Sequence, residues 1–463
     1  MQTEFASITE ASQRWINEGK SFKDKLNNWL DEIYIDKVKP DTPCPEDTRK
    51  DMTAFVMDQI YYHNEDGEFD KLRQLFPPDN DPIDWTGITE CVSQVVILPD
   101  MRLVATVGDW YEPRRVYLIS ENTFELQPDV LMIGKSFDKK YIARVYADYI
   151  EVTEGWDGHS IKTFASPSTY GLKGPKDGLS NLNFTEFGIQ QIVVFPNGQR
   201  VAIATSKGIF VLEEQTSHFI ETEENSSHTH REEFTFRYDY PHVDVSPDGK
   251  YMITGTQSSP HLLFEEINGQ WTTIATVEPR SSYPNLARFN TTIEEEPDTD
   301  NSGPQVLLCS CHISRSASIA LPLANLTPNF YASGYNADPT LNYIDDRKWV
   351  FSAGLYQWGY ALGCNDGYMW FRDYYGNLYG YLHIGGTVMD IDYSPDRTKM
   401  VVASYIGQIT VYDCTELFHE NEDLFRDETN RQERRKDDFA ITNTCYKDIK
   451  RYLFWKENPP LVW

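Results

Sequence analysis

The chain is short of positive charge. Lys and Arg number 42 against 71 Asp and Glu, a net charge of −29 over 463 residues. DNA affinity comes largely from cations meeting phosphates, so this chain is a poor candidate for binding nucleic acid, and equally for anionic membrane surfaces. No window of the sequence approaches the roughly 18 apolar residues of a membrane helix. The opening MQTEFASITE has neither the basic nor the apolar region of a secretory signal. Cysteine is scarce and scattered. There are seven, an odd number, and only Cys309 and Cys311 lie close together. No second pair completes a zinc site, so reduced thiols in a cytoplasm are the expectation. Catalytic signatures are also missing. The sequence contains no G-x-S-x-G elbow, no G-x-x-x-x-G-K-S/T loop and no H-E-x-x-H pair. No enzyme activity, cofactor or metal is therefore expected.

What the chain has is core-forming material. Hydrophobic residues make up 40% and aromatics 14%, which excludes wholesale disorder. Both ends read as helical. Ser7 to Glu10 fits a capping box, and Ile8, Ala11 and Trp15 recur at helical spacing, followed by Phe22, Leu26, Leu30 and Ile33. Met52, Phe55, Val56 and Ile60 mark a second helix, and Phe69, Leu72 and Phe76 a short third one. After a charged stretch at 420–438, Cys445, Ile449, Tyr452 and Leu453 form another helical stripe. This gives a helical extension over 1–86, a β region over 87–415 and a helical tail over 416–463.

The β region carries a weak internal repeat. An apolar run enters a Pro/Asp/Asn/Gly turn and a second apolar run leaves it. The clearest copy is Val243-Asp244-Val245-Ser246-Pro247-Asp248-Gly249-Lys250-Tyr251. Others have turn anchors at Asp100, Asp138, Asn197, Asp346 and Asp396, with a double-length gap between 248 and 346. A degenerate copy fills that gap. Its strands are expected near 283–289 and 306–309, and its turn is swollen by the acidic insert 294–302. Seven copies over 87–415 average about 47 residues each.

A period of this length with an S-P-D-G-K turn resembles the blades of WD-repeat propellers. The stretches 208–212, 369–373 and 409–413 are similar to third strands of such blades. The chain departs from that family: its one Gly-His, Gly158-His159, and its one Trp-Asp, Trp156-Asp157, are misplaced for the motif. The resemblance implies an all-β fold, a divergent seven-bladed β-propeller with α-helical N- and C-terminal extensions. The last copy lacks a local fourth strand. The segment 85–90, or failing that 460–463, is expected to supply the missing edge.

The chemistry candidates are few. His228-Thr229-His230 lies in a Glu-rich loop, where a solvated role outweighs a metal site. The insert 294–302 has alternating carboxylates, but it has neither the Gly nor the closing Glu of a calcium loop. The aromatic stretch containing Tyr356, Trp358, Trp370, Tyr374 and Tyr375 is assigned as a partner-binding face, against the alternative that these rings pack between blades. Acidity is spread over all three segments, which suits a protein that attracts a basic partner. The expectation is a non-catalytic, cytoplasmic interaction module for a basic protein. Its narrower form is an immunity-type inhibitor of a basic toxin. The competing class is a metal-dependent propeller hydrolase or lyase.

Overall fold

The computed structural model describes residues 7–463 apart from 35–37, 79–80, 110–112, 168–181, 215, 221–237, 281–282, 291–303, 312–315, 335–337, 346–347, 357–358, 416–446 and 457–458. The described residues are mostly strand, and the fold is all-β. The strands gather in six sheets, one of them eight-stranded. That sheet is two antiparallel halves joined at one parallel pair, Lys135 with Val193. Counting the halves separately gives seven groups, antiparallel except where Phe330–Ser333 joins the fourth in parallel along Gln270–Glu278. Their first strands are Val92–Ile97, Met132–Lys135, Ile189–Val194, His242–Val245, Tyr283–Phe289, Val350–Tyr356 and Val388–Tyr393. The paired strands Tyr283–Phe289 and Gln305–Cys311 lie where the degenerate copy was expected.

The turn chemistry explains why first and second strands pair. In Ser246-Pro247-Asp248-Gly249, the Ser246 hydroxyl donates to Asp248 at 2.5 Å, and Asp248 accepts the Lys250 N–H at 3.0 Å. The Tyr251 N–H returns to the Ser246 hydroxyl at 2.9 Å. The same three bonds recur at Ser136-Asp138 and at Ser394-Asp396. One residue of each turn must take the left-handed conformation. Gly198 and Gly249 do so without strain, at φ 68° and 72°. Met101, Lys139 and Arg397 fill the same position at φ 71°, 58° and 60°, a conformation that disfavours side chains.

Two expectations are corrected. The anchor at Asp346 lies outside the described residues, and the strands that flank it do not belong to one group. Asn342–Asp345 closes the fifth group and Val350–Tyr356 opens the sixth, so the apolar runs there belong to different sheets. The C-terminal tail is not helical where it is described. Lys447–Leu453 is a strand along Gln408–Asp413, and Leu461–Val462 pairs outside it. The open edge of Gln408–Asp413 offers a row of backbone donors and acceptors, and pairing them outweighs a helical stripe of one or two turns. The missing edge thus comes from 447–453, with the terminal segment added beyond it. The segment 85–90 contributes a single bridge, Thr89 with Trp455. Residues 416–446 lie outside the described part.

Helices α1 (Ile8–Tyr34), α2 (Thr53–Glu65) and α3 (Phe69–Leu75) cover the outer strands of the last two groups. Ser7 caps α1 by accepting the Glu10 N–H at 3.2 Å. Trp15, Val56, Ile60, Leu72 and Phe76 form one apolar cluster with Leu453, Trp455 and Trp463. Leu26 and Leu30 pack on the fifth and sixth groups. At Gly19, a Cβ would meet the Arg49 guanidinium at 2.4 Å, so glycine there admits the buried Arg49–Asp47 pair. Among the described residues, no helix is long and apolar enough to cross a membrane.

Candidate functional site

A cavity of about 500 Å³ runs between the first strands, and all seven contribute to its wall. Neighbouring first strands lie side by side, mostly without a backbone ladder, so their backbone groups need other partners. Side chains of the adjacent strand supply them. Gln191 accepts the Val243 N–H at 3.2 Å, and Asp244 accepts the Phe289 N–H at 2.8 Å. Asn285 donates to the Val350 carbonyl at 2.6 Å, and Ser352 to the Val388 carbonyl at 3.3 Å. Asp390 accepts the Val95 N–H at 3.0 Å, and Asp392 the Ile97 N–H at 2.9 Å.

The strongest electrostatic feature is centred on Asp392. Lys135 Nζ lies 2.5 Å from one of its oxygens and Lys139 Nζ 2.8 Å from the other. Lys139 also donates to the carbonyls of Ile97, at 3.2 Å, and Tyr393. Burial works against the Asp392 charge, but the two ammonium groups outweigh it and hold the carboxyl below its usual range. Burial pushes Lys139 down to about 8 against the pull of Asp392. Burial raises Asp244 and Asp390, with Arg288, Lys135 and backbone N–H groups opposing.

Two imidazoles meet on the same wall. His242 Nε2 lies 3.2 Å from His261 Nδ1, and His242 Nδ1 lies 3.1 Å from the Tyr240 carbonyl. Burial pushes His242 down to about 4 and His261 well below its ordinary value. On the cavity wall, Arg114 donates to the carbonyl of Ile189 at 2.7 Å, and burial pushes it down to about 10. Arg288 stands half-buried on the wall and donates to the Ala287 carbonyl at 3.1 Å. Phe351, Leu355 and Met389 supply apolar lining from the first strands of the sixth and seventh groups. Among the described residues, no three His, Cys, Asp and Glu side chains gather closely enough to hold a metal ion.

Two of the five aromatic residues expected at a partner-binding face are buried. Trp370 is 1% exposed and Tyr374 7%. Trp370 packs against Tyr381 at 5.3 Å between ring centres, and Tyr374 against Tyr360 at 5.2 Å. Third-strand aromatics are drawn inward because each sheet must cover its neighbour's face. Tyr375 is half-buried against the same cluster. Tyr356 ends its strand with a side chain outside the described part, and Trp358 lies outside it altogether, as do His228, His230 and the insert 294–302. Sequence reasoning missed the cavity residues, although their signal was present. Gln94, Gln191 and Asp390 each stand five positions before the turn proline, and Asp244 and Asp392 three before it.

No protein-family model matches this chain, and no curated protein matches it.

Proposed function

We propose that the seven groups are the blades of a closed seven-bladed β-propeller, similar to WD-repeat propellers, and that the protein is a non-catalytic module binding a basic protein in the cytoplasm. The observation that carries the non-catalytic reading is the use made of the cavity carboxylates. Asp244, Asp390 and Asp392 each accept a backbone N–H of a neighbouring first strand. Groups committed in this way hold strands together and are poorly placed to shuttle protons. The link from Asp390 to Val95 joins the last group to the first and supports closure. The net charge of −29 supports a basic partner, since a negative field speeds its capture. An inhibitor that blocks a basic toxin is the narrower form of the same reading.

The test is isolation of the protein with its bound partners from source cells, followed by titration of the purified pair. A basic partner bound at fixed stoichiometry is expected, with affinity falling steeply between about 50 and 300 mM salt. A stoichiometric bound metal together with hydrolytic or lyase turnover overturns the reading. So does an acidic partner whose binding ignores salt.

A further inference from the structure

Among the described residues, Asp244, Asp390 and Arg288 line the cavity outside its ion pairs, as does Arg114, which is bonded to the Ile189 carbonyl. Lys135 and Lys139 are taken by Asp392. Asp244 and Asp390 instead accept backbone N–H groups, those of Phe289 and of Val95 and Ile391 respectively. Among the described residues neither makes an ion pair, and Arg288 makes none either; its hydrogen bond goes to its own neighbour's carbonyl. A carboxylate oxygen that accepts one N–H keeps lone pairs for another donor. A guanidinium bonded once keeps most of its fork of donors.

Opposite charges close enough to feel one another, yet held apart by separate strands, are costly in a half-buried site. The arrangement discriminates among ligands. A simple anion drawn to Arg288 is repelled by two carboxylates, and a simple cation drawn to the carboxylates is repelled by Arg288. A molecule carrying both signs satisfies all three. Beside these charges, Phe351, Leu355 and Met389 supply apolar lining. A volume of about 500 Å³ is within the ordinary range for small-molecule sites.

We propose that the cavity is a binding site for a small apolar zwitterion, a free α-amino acid of the leucine or methionine type. Its ammonium meets Asp244 and Asp390, its carboxylate takes the Arg288 fork, and its side chain lies on Phe351, Leu355 and Met389. This site is separate from the docking of a protein partner and stands or falls independently of it.

The test uses the full chain, calorimetric titration and thermal shift. The probes are L-leucine, L-methionine, N-acetyl-L-leucine, which has no ammonium, and L-leucinamide, which has no carboxylate. Leucine and methionine should bind and raise the melting temperature. Each blocked analogue should bind at least about tenfold more weakly, the effect of losing one charge-assisted contact. Arg288→Gln should abolish leucine binding, while Arg288→Lys keeps a part of it. If Arg288→Gln does not fold, Arg288→Lys and the analogue series decide. Absence of leucine and methionine binding at about 10 mM, which puts any affinity below the millimolar range, overturns the proposal. So does equal binding of the blocked analogues, or unchanged binding by the folded Arg288 variants.

Discussion

The Asp390 carboxylate accepts the backbone N–H of Val95 at 3.0 Å across 295 positions of chain. Two residues on, Asp392 does the same for Ile97 at 2.9 Å. The two carboxylates tie the last first-strand to the first one. Removing an acceptor from a buried N–H costs about 1–3 kcal/mol. Asp390→Ala should therefore lose about that much in urea unfolding, and Asp390→Asn, which keeps an oxygen, should lose less. Equal losses in the two variants would assign the effect to the charge and reject the acceptor role.

Lys139 sets two effects against each other. Its left-handed backbone costs about 1 kcal/mol, which Lys139→Gly would relieve. The same change takes one of two cations from the buried Asp392 and leaves the carbonyls of Ile97 and Tyr393 without their donor. Breaking a buried pair costs about 3–5 kcal/mol, reduced here because Lys135 remains. The loss is the larger of the two, so Lys139→Gly should destabilise by roughly 2 kcal/mol. Met101→Gly relieves the same strain at an exposed apolar side chain and should not destabilise. A Lys139→Gly protein as stable as the parent would remove the Lys139–Asp392 pair from the account.

Much of this fold is legible in the sequence, and the reason is local chemistry. The Ser-x-Asp turns bond within a few residues, so Ser136-Phe137-Asp138-Lys139 announces a turn without Pro or Gly, more weakly than the copy that has them. The strands at 283–289 and 305–311 could be placed through period alone. What misled was long-range. Ile449, Tyr452 and Leu453 satisfy a helical spacing, and only the waiting edge of Gln408–Asp413 decides for strand. Trp370 and Tyr374 are composed like a binding surface, and only neighbouring sheets decide that they are buried. The cavity was missed because its residues come one or two per repeat. Asp244 and Asp390 stand at fixed offsets before their turn prolines, but Arg288 has no such marker until the first strands stand side by side.

The histidine pair makes stability depend on pH. Above the ordinary imidazole value of 6.5 both states are neutral and nothing is lost. Below it the unfolded chain takes protons that buried His242 and His261 refuse, so stability falls as pH drops from 6.5 towards the value of about 4 held by His242. The groups facing His242 are the Tyr240 carbonyl and His261, with Arg288 opposing protonation through space. The His242 contribution is about 3 kcal/mol over that window. Urea midpoints should be flat near pH 7 and decline to pH 4, with a shallower decline in His242→Gln. An identical slope in that variant would exclude the pair as the cause.

The seventh group takes its outer strands from the C-terminal region of the chain. Lys447–Leu453 lies on Gln408–Asp413, and Leu461–Val462 lies on Lys447–Leu453. Trp463 beyond them is fully buried, with its indole N–H on the Phe76 carbonyl at 2.6 Å and its ring 5.9 Å from that of Trp85. Asn64 of α2 bonds both the N–H and the carbonyl of Val462 at 2.8 Å. The N-terminal helices and the last sheet thus meet at this short segment, and Arg73 of α3 also bonds Asp448 of the neighbouring strand. Trp463→Ala should cost about 3–5 kcal/mol, the loss typical of a buried large aromatic. Asn64→Ala should cost about 1–3 kcal/mol because it strands two backbone groups of Val462. The two sites share one segment, so their combined loss should fall short of the sum. Chemical unfolding of the single and double variants measures this. Strict additivity would mean that helix and sheet edge are held separately, and a Trp463→Ala loss under about 1 kcal/mol would mean that the terminal segment is not part of the core.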